Sequence, residues 1–172
     1  YQAKDAGRGC YAYFSEALTL AVQKRIALET RLRRAIDSGE LRVFFQPQVD
    51  IVSGSIVGAE ALVRWQDPDH GLVPPSGFIP IAEETGLIID IGTWVLRETC
   101  RLGKQWLDTR LPALTLAVNV SAQQFYRGDF CALVNSILLE TGFPAEQLEL
   151  EITESGLMNN GIQDKATDIL NS

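Results

Sequence analysis

The sequence predicts an α/β domain, a β/α barrel whose first strand runs antiparallel to the second, and three observations carry that reading. Four stretches alternate apolar and polar residues as strands do, and beyond the second they are separated by helical repeats. Alternating strands and helices imply parallel pairing through right-handed crossovers. The turn Ser53-Gly54-Ser55 between the first two strands is too short for a crossover and makes that pair a hairpin. Each strand has a wholly apolar face, which should meet the helices, so the polar faces point together.

Taken in order, Tyr1 to Gly9 reads as a helix end and Cys10 to Phe14 as a short aromatic strand, a piece without a core of its own. Ser15 can cap a helix to about Asp37, with Leu28, Leu32, Ala35 and Ile36 at helical spacing and Gly39 beyond its end. Leu41 to Asp50 is the first strand, and Pro47 puts it at an edge or strand end. Ile56 to Trp65 is the second, with Val57, Ala59, Ala61, Val63 and Trp65 on one face and Glu60, Leu62 and Arg64 on the other. Gln66 to Gly77, rich in Asp, Pro and Gly, reads as a loop. Phe78 to Thr85 is a short helix; Asp90 to Asp108 is a longer one striped by Ile91, Val95, Leu102 and Trp106. Leu114 to Ser121 is a strand, Asp129 to Glu140 a helix closed by Gly142 and Pro144, and Gln147 to Thr153 the last strand. Gln163 to Leu170 begins another helix.

The chain has 172 residues, 46% of them hydrophobic, enough to bury a core in about one domain. A net charge of −7 argues against unspecific binding to nucleic acid polymers or anionic membranes. No apolar run reaches the roughly 18 residues a membrane helix needs, and the charged start has no signal-peptide core, so a cytoplasmic protein is expected. Cys10, Cys100 and Cys131 are odd in number and widely spaced, which reads as reduced packing residues. His70, the single histidine, reads as a surface residue, so any metal here must be held by oxygen.

In a β/α barrel, inward residues near the carboxyl ends of different strands converge at the active face. Glu60, Asn119 and Glu151 fit that placement on three successive strands. Two carboxylates and an amide oxygen suit Mg²⁺ or Mn²⁺. Singly, each residue is better explained as a solvated strand or turn side chain; the three oxygen ligands at equivalent places on successive strands together favour a site.

The words FQPQVD (Phe45 to Asp50), EALVRW (Glu60 to Trp65), PPSGFIPIAEETG (Pro74 to Gly86), NVS (Asn119 to Ser121) and LEITES (Leu150 to Ser155) stand in the order seen in EAL domains, which this chain resembles. YQAKDAGR at the start resembles the closing helix of GGDEF domains. The resemblance divides the chain into a GGDEF-like tail at 1–18, a helical linker at 19–27 and the N-terminal portion of an EAL domain at 28–172. It implies a metal-dependent phosphodiesterase that hydrolyses cyclic di-GMP to a linear dinucleotide, or else a degenerate barrel that binds the dinucleotide without hydrolysing it or serves as a signalling or interaction module. By the same resemblance Glu60, Asn119 and Glu151 are catalytic metal ligands, and Gln46 and Arg64 contact substrate, with Arg64 suited to a phosphate oxygen. Leu62, Ile79 and Pro80 lie near the nucleotide, and Glu154 supports the ligands from behind. Phe45 departs from the family's commoner Tyr, and Asp67 stands where His is frequent. The later family words, with two aspartates, a lysine, and a last Glu and Gln, have no counterpart here. A closed barrel takes about 250 residues. The chain is therefore expected to be part of a longer polypeptide, inactive alone, with a sheet edge that another strand or a second copy would cover.

Overall fold

The computed structural model describes residues 16–109, 114–126 and 129–152. The segments expected at Cys10 to Phe14 and Gln163 to Leu170, together with Glu154, lie outside these. Helix α1 (Glu16–Asp37) runs unbroken through positions 19–27 and buries Leu32 and Ala35 completely, with Leu28 and Ile36 packed beside them. It ends at Gly39, whose positive φ of 66° suits a residue without Cβ, and the Glu40 amide closes onto the Ala35 carbonyl.

Strands β1 (Leu41–Val49) and β2 (Ile56–Asp67) form the antiparallel hairpin, Leu41 opposite Trp65 and Gln46 opposite Glu60. Its turn is pinned by Asp50, whose Oδ1 accepts from the Ser53 amide and hydroxyl, both at 2.7 Å. β1 is an edge strand, which is where Pro47 can be tolerated.

The stretch after β2 departs from the simple loop expected of it. Gln66 and Asp67 continue the strand, and β3 (Gly71–Val73) pairs back on it antiparallel. The reason is Asp67, whose buried carboxylate accepts from the amides of Asp69 and His70 at 2.8 and 3.1 Å and so folds the turn.

Helix α2 (Ile79–Thr85) ends on Gly86, and α3 (Ile88–Asp108) follows. The buried stripe of α3 is Ile88, Ile91, Gly92, Val95, Leu96, Thr99, Cys100 and Gly103. Leu102, expected on it, lies just off it. Gly103 closes the stripe, and Phe143 and Leu116 approach to within 2.6 Å of where its Cβ would stand. Strand β4 (Thr115–Val120) pairs parallel with β2, and a five-residue helix α4 (Ala122–Tyr126), not foreseen, follows it. Helix α5 (Phe130–Thr141) is capped by Asp129, whose side chain accepts from the Ala132 amide, and stops at Gly142 with φ of 68°. Strand β5 (Leu148–Ile152) pairs parallel with β4.

The strand order is β1-β2-β4-β5, with β3 added to β2, and the sheet is open rather than closed. One face meets the helices through Leu41, Ala59, Ala61, Trp65, Leu116 and Val118, all at least 95% buried. Aromatic edges tie the layers, Phe45 on Trp106 and Trp65 on Phe78. The arrangement is α/β with an antiparallel first pair. Among the described residues no helix is long and apolar enough to cross a membrane.

Candidate active site

With the helix-facing rows spent on the core, the alternate rows project from the other face of the sheet. Gln46 and Glu60 are register partners across the hairpin, and Asn119 and Glu151 are partners across β4 and β5. Asn119 Nδ2 donates to Glu60 Oε1 at 2.6 Å, which joins β2 to β4 through side chains as well as backbone. With its amide nitrogen so engaged, Asn119 keeps its carbonyl oxygen as the atom left to serve a ligand.

Glu151 stands in a negative neighbourhood. Burial, followed by the charges of Glu60 and Glu149, pushes its carboxyl above the ordinary range. Carboxylates that repel one another at a sheet face are complementary to a small hard cation, and the donor set of Glu60, Asn119 and Glu151 is all oxygen. The residues present therefore fit Mg²⁺ or Mn²⁺.

Arg64 lies four residues beyond Glu60 on β2, half-buried, with its guanidinium 5.9 Å from the Phe44 ring centre. Its register partner is Arg42, which sequence reading passed over although the hairpin register alone would have revealed it. Like charges directly opposite destabilise a sheet. Arg42 draws back, donating to the carbonyls of Gly39 and Leu41 at 2.7 and 2.6 Å, and Arg64 donates to the carbonyl of Val63. This leaves a basic corner four residues further along β2 than Glu60.

A hollow of about 200 Å³ opens next to Asn119, walled by Leu62, Ile79, Ile88 and Ile91 and edged by Glu83 and Gln124. Leu62 and Ile79 thus share it. Pro80 does not: it is exposed and lines a separate hollow against α1, with Arg25 and Glu84. Gln124 is almost fully buried, accepts from the Ser121 amide at 3.0 Å and packs over Gly92, where any Cβ would collide with it. Nothing in the sequence pattern marks that contact.

A second polar cluster gathers Asp67, Asp69 and His70, with ligand atoms within 4.8 Å of one another. Its geometry is that of the β2–β3 turn. Arg31 of α1 completes it, with Nη1 at 2.7 Å from His70 Nδ1 and 3.5 Å from Asp67 Oδ2, and with its guanidinium over the Trp65 ring. Trp65 in turn donates to Glu40 at 3.0 Å. His70 is therefore a clamp residue on the surface. Cys100 is buried and Cys131 half-buried, both free.

The model of the EAL domain matches residues 29–171. The chain belongs to the EAL-domain family. Curated relatives agree with this membership. The chain is 41% identical over 160 residues to the bifunctional diguanylate cyclase/cyclic di-GMP phosphodiesterase MucR of Pseudomonas aeruginosa, covering 93% of the chain and 23% of that protein. It is 40% identical to the oxygen sensor protein DosP of Escherichia coli, covering 93% and 20%, and 37% identical to the cyclic di-GMP phosphodiesterase PdeR of the same organism, covering 93% and 24%. This EAL domain thus spans about a quarter or less of the length of these relatives. Among solved structures it resembles the PaMucR phosphodiesterase in complex with c-di-GMP, with a TM-score of 0.78 at 41% identity, covering 84% of this chain and 58% of that one. The cGMP-bound EAL enzyme Bd1971 gives a TM-score of 0.79 at 28% identity, covering 89% and 44%.

Proposed function

We propose that the protein carrying this EAL domain is a metal-dependent phosphodiesterase that hydrolyses cyclic di-GMP to the linear dinucleotide. The observation that carries the reading is the gathering of Gln46, Glu60, Asn119 and Glu151 on one sheet face, with Arg64 four residues beyond Glu60 on the same strand and an apolar hollow at Asn119. Such a site offers oxygen ligands, a cation for a phosphodiester and a wall for a base. MucR and PdeR, named as cyclic di-GMP phosphodiesterases, support it.

In this reading Glu60, Asn119 and Glu151 would hold Mg²⁺ or Mn²⁺, which supplies a Lewis acid for the phosphoryl oxygen and activates water. The chain's own residues do the rest. Arg64 takes a non-bridging phosphate oxygen and orients the phosphodiester. Asn119 fixes the Glu60 carboxylate through its amide, and Gln46, opposite Glu60, supplies a neutral donor and acceptor to the substrate.

The test is hydrolysis of cyclic di-GMP by the intact protein with Mg²⁺ or Mn²⁺, followed by chromatography of the product. Glu60→Ala should lower turnover by about 10²-fold or more, whereas Arg64→Ala should act mainly on KM. Binding of the dinucleotide without any metal-dependent product would identify a receptor instead.

A further inference from the structure

The geometry points to Glu83 as the residue that selects guanine in the hollow beside Asn119, an assignment that rests on the cyclic di-GMP reading above. The hollow, at about 200 Å³, is smaller than the roughly 300–1,000 Å³ typical of pockets for whole drug-sized ligands. It has room for one flat ring system, not for a dinucleotide. Leu62, Ile79 and Ile88 supply apolar walls on which a base can lie.

Four residues with polar side chains line the hollow: Glu83, Asn119, Ser121 and Gln124. Asn119 spends its amide nitrogen on Glu60, Gln124 accepts from the Ser121 amide, and the Ser121 hydroxyl accepts from the Gln123 amide. Among the described residues the exposed Glu83 carboxylate makes no hydrogen bond or ion pair. The adjacent carboxylate, Glu84, points to the opposite side of α2, where it pairs with Arg25 of α1. Two successive glutamates thus serve two hollows, and the one on the Asn119 side is unspent.

Glu83 is also held in place. Gln123 Nε2 donates to its backbone carbonyl at 2.7 Å, which fastens the end of α2 to the start of α4. It sits in the last turn of α2, just before the left-handed Gly86, where the exposed carbonyl ends disfavour a negative side chain. A carboxylate in that position gains nothing from its own helix. Guanine offers two adjacent donors, N1–H and the exocyclic amino group, which match the two oxygens of a carboxylate in parallel hydrogen bonds. Adenine would put a lone pair against one of those oxygens. Glu83 therefore favours guanine twice, by attraction and by exclusion.

Calorimetry on the intact protein in EDTA, which stops turnover, tests this with cyclic di-GMP and cyclic di-AMP as the two ligands. Glu83→Gln should lose about 10- to 100-fold in affinity for cyclic di-GMP while binding of cyclic di-AMP changes little. Glu84→Gln, exposed on the same helix, should behave as the parent does. If Glu83→Gln keeps the parent's preference for cyclic di-GMP over cyclic di-AMP, the assignment of Glu83 fails while the phosphodiesterase reading stands. If the parent binds neither dinucleotide, the functional reading fails and the assignment falls with it. A circular dichroism spectrum matching the parent's shows that Glu83→Gln is folded.

Discussion

Replacing Arg31 by methionine keeps an unbranched apolar stem over Trp65 but removes the charge that faces Asp67. The Asp67 side chain is 1% exposed, and its Oδ2 makes no hydrogen bond among the described residues, so Arg31 Nη1 at 3.5 Å is its charge partner there. At that separation the gross attraction is about 5 kcal/mol for an effective dielectric near 20. Breaking a buried pair from one side costs about 3–5 kcal/mol. Two features reduce that here: the Arg31 side chain is 29% exposed, and Asp67 Oδ1 keeps the amides of Asp69 and His70. Arg31→Met should therefore cost about 2 kcal/mol, including about 0.5–1 kcal/mol of lost cation–π contact. Asp67→Asn on top of it should recover part of the loss, because a neutral amide needs no counter-charge. Urea unfolding of the four proteins of the cycle, followed by tryptophan fluorescence, gives the coupling energy. A coupling within about 0.5 kcal/mol of zero would refute the reasoning, since independent sites add to that accuracy.

Four further outcomes follow from the same coordinates. Burial tends to raise the Asp67 carboxyl, but the His70 side chain, the amides of Asp69 and His70 and the Arg31 charge outweigh it and hold the group below its ordinary 3.8. Its contribution to stability is thus complete above 3.8 and is lost as pH falls through the lower folded value, so unfolding of Asp67→Asn measured from pH 5 to pH 3 should show a shallower loss than the parent. Gly103→Ala puts a Cβ into Phe143 and Leu116 and should destabilise by about 1–3 kcal/mol despite alanine's better helix propensity, read as a lower urea midpoint. Burial pushes the Cys100 thiol up to about 11, so peptide mapping after alkylation at pH 8 should find Cys100 unlabelled in native protein and labelled in urea, with Cys131 modified first. Asn119→Asp should place a third carboxylate beside Glu60 and Glu151 and lower the unfolding free energy in EDTA, measured by urea, by about 1 kcal/mol, a loss that added Mn²⁺ reverses.

How much of this could be read in advance depended on the range of the signal. Period-two alternation is a local property, so β1, β2, β4 and β5 and the inward row carrying Glu60, Asn119 and Glu151 could be drawn before any coordinates. The hairpin was equally legible, because a connection of only residues 50–55 leaves no room for a crossover. Where long-range contacts decide, the pattern was silent. β3 exists because Asp67 folds a turn that composition alone describes as loop. Gly103, not Leu102, belongs to the buried α3 stripe because of where Phe143 arrives just beyond α5. Glu83 and Glu84 look alike in the word AEETG, and only the position of Arg25 across the hollow separates them. Pro80, chosen with Ile79 from the same word, faces the other way because neighbours on a helix are about 100° apart.

The reversed direction of β1 changes where the polypeptide enters the sheet. In a barrel of parallel strands alone, the chain comes into each strand at the end opposite the loops that bind ligand. Here Leu41, the first residue of β1, lies against Trp65 near the carboxyl end of β2, and the Gln66 amide donates to the Glu40 carbonyl at 2.8 Å. The chain therefore makes its first contact with the sheet on the ligand side, one residue beyond Arg64. Whatever displaces the end of α1 is felt first at the rim of the site, without having to pass through the depth of the core.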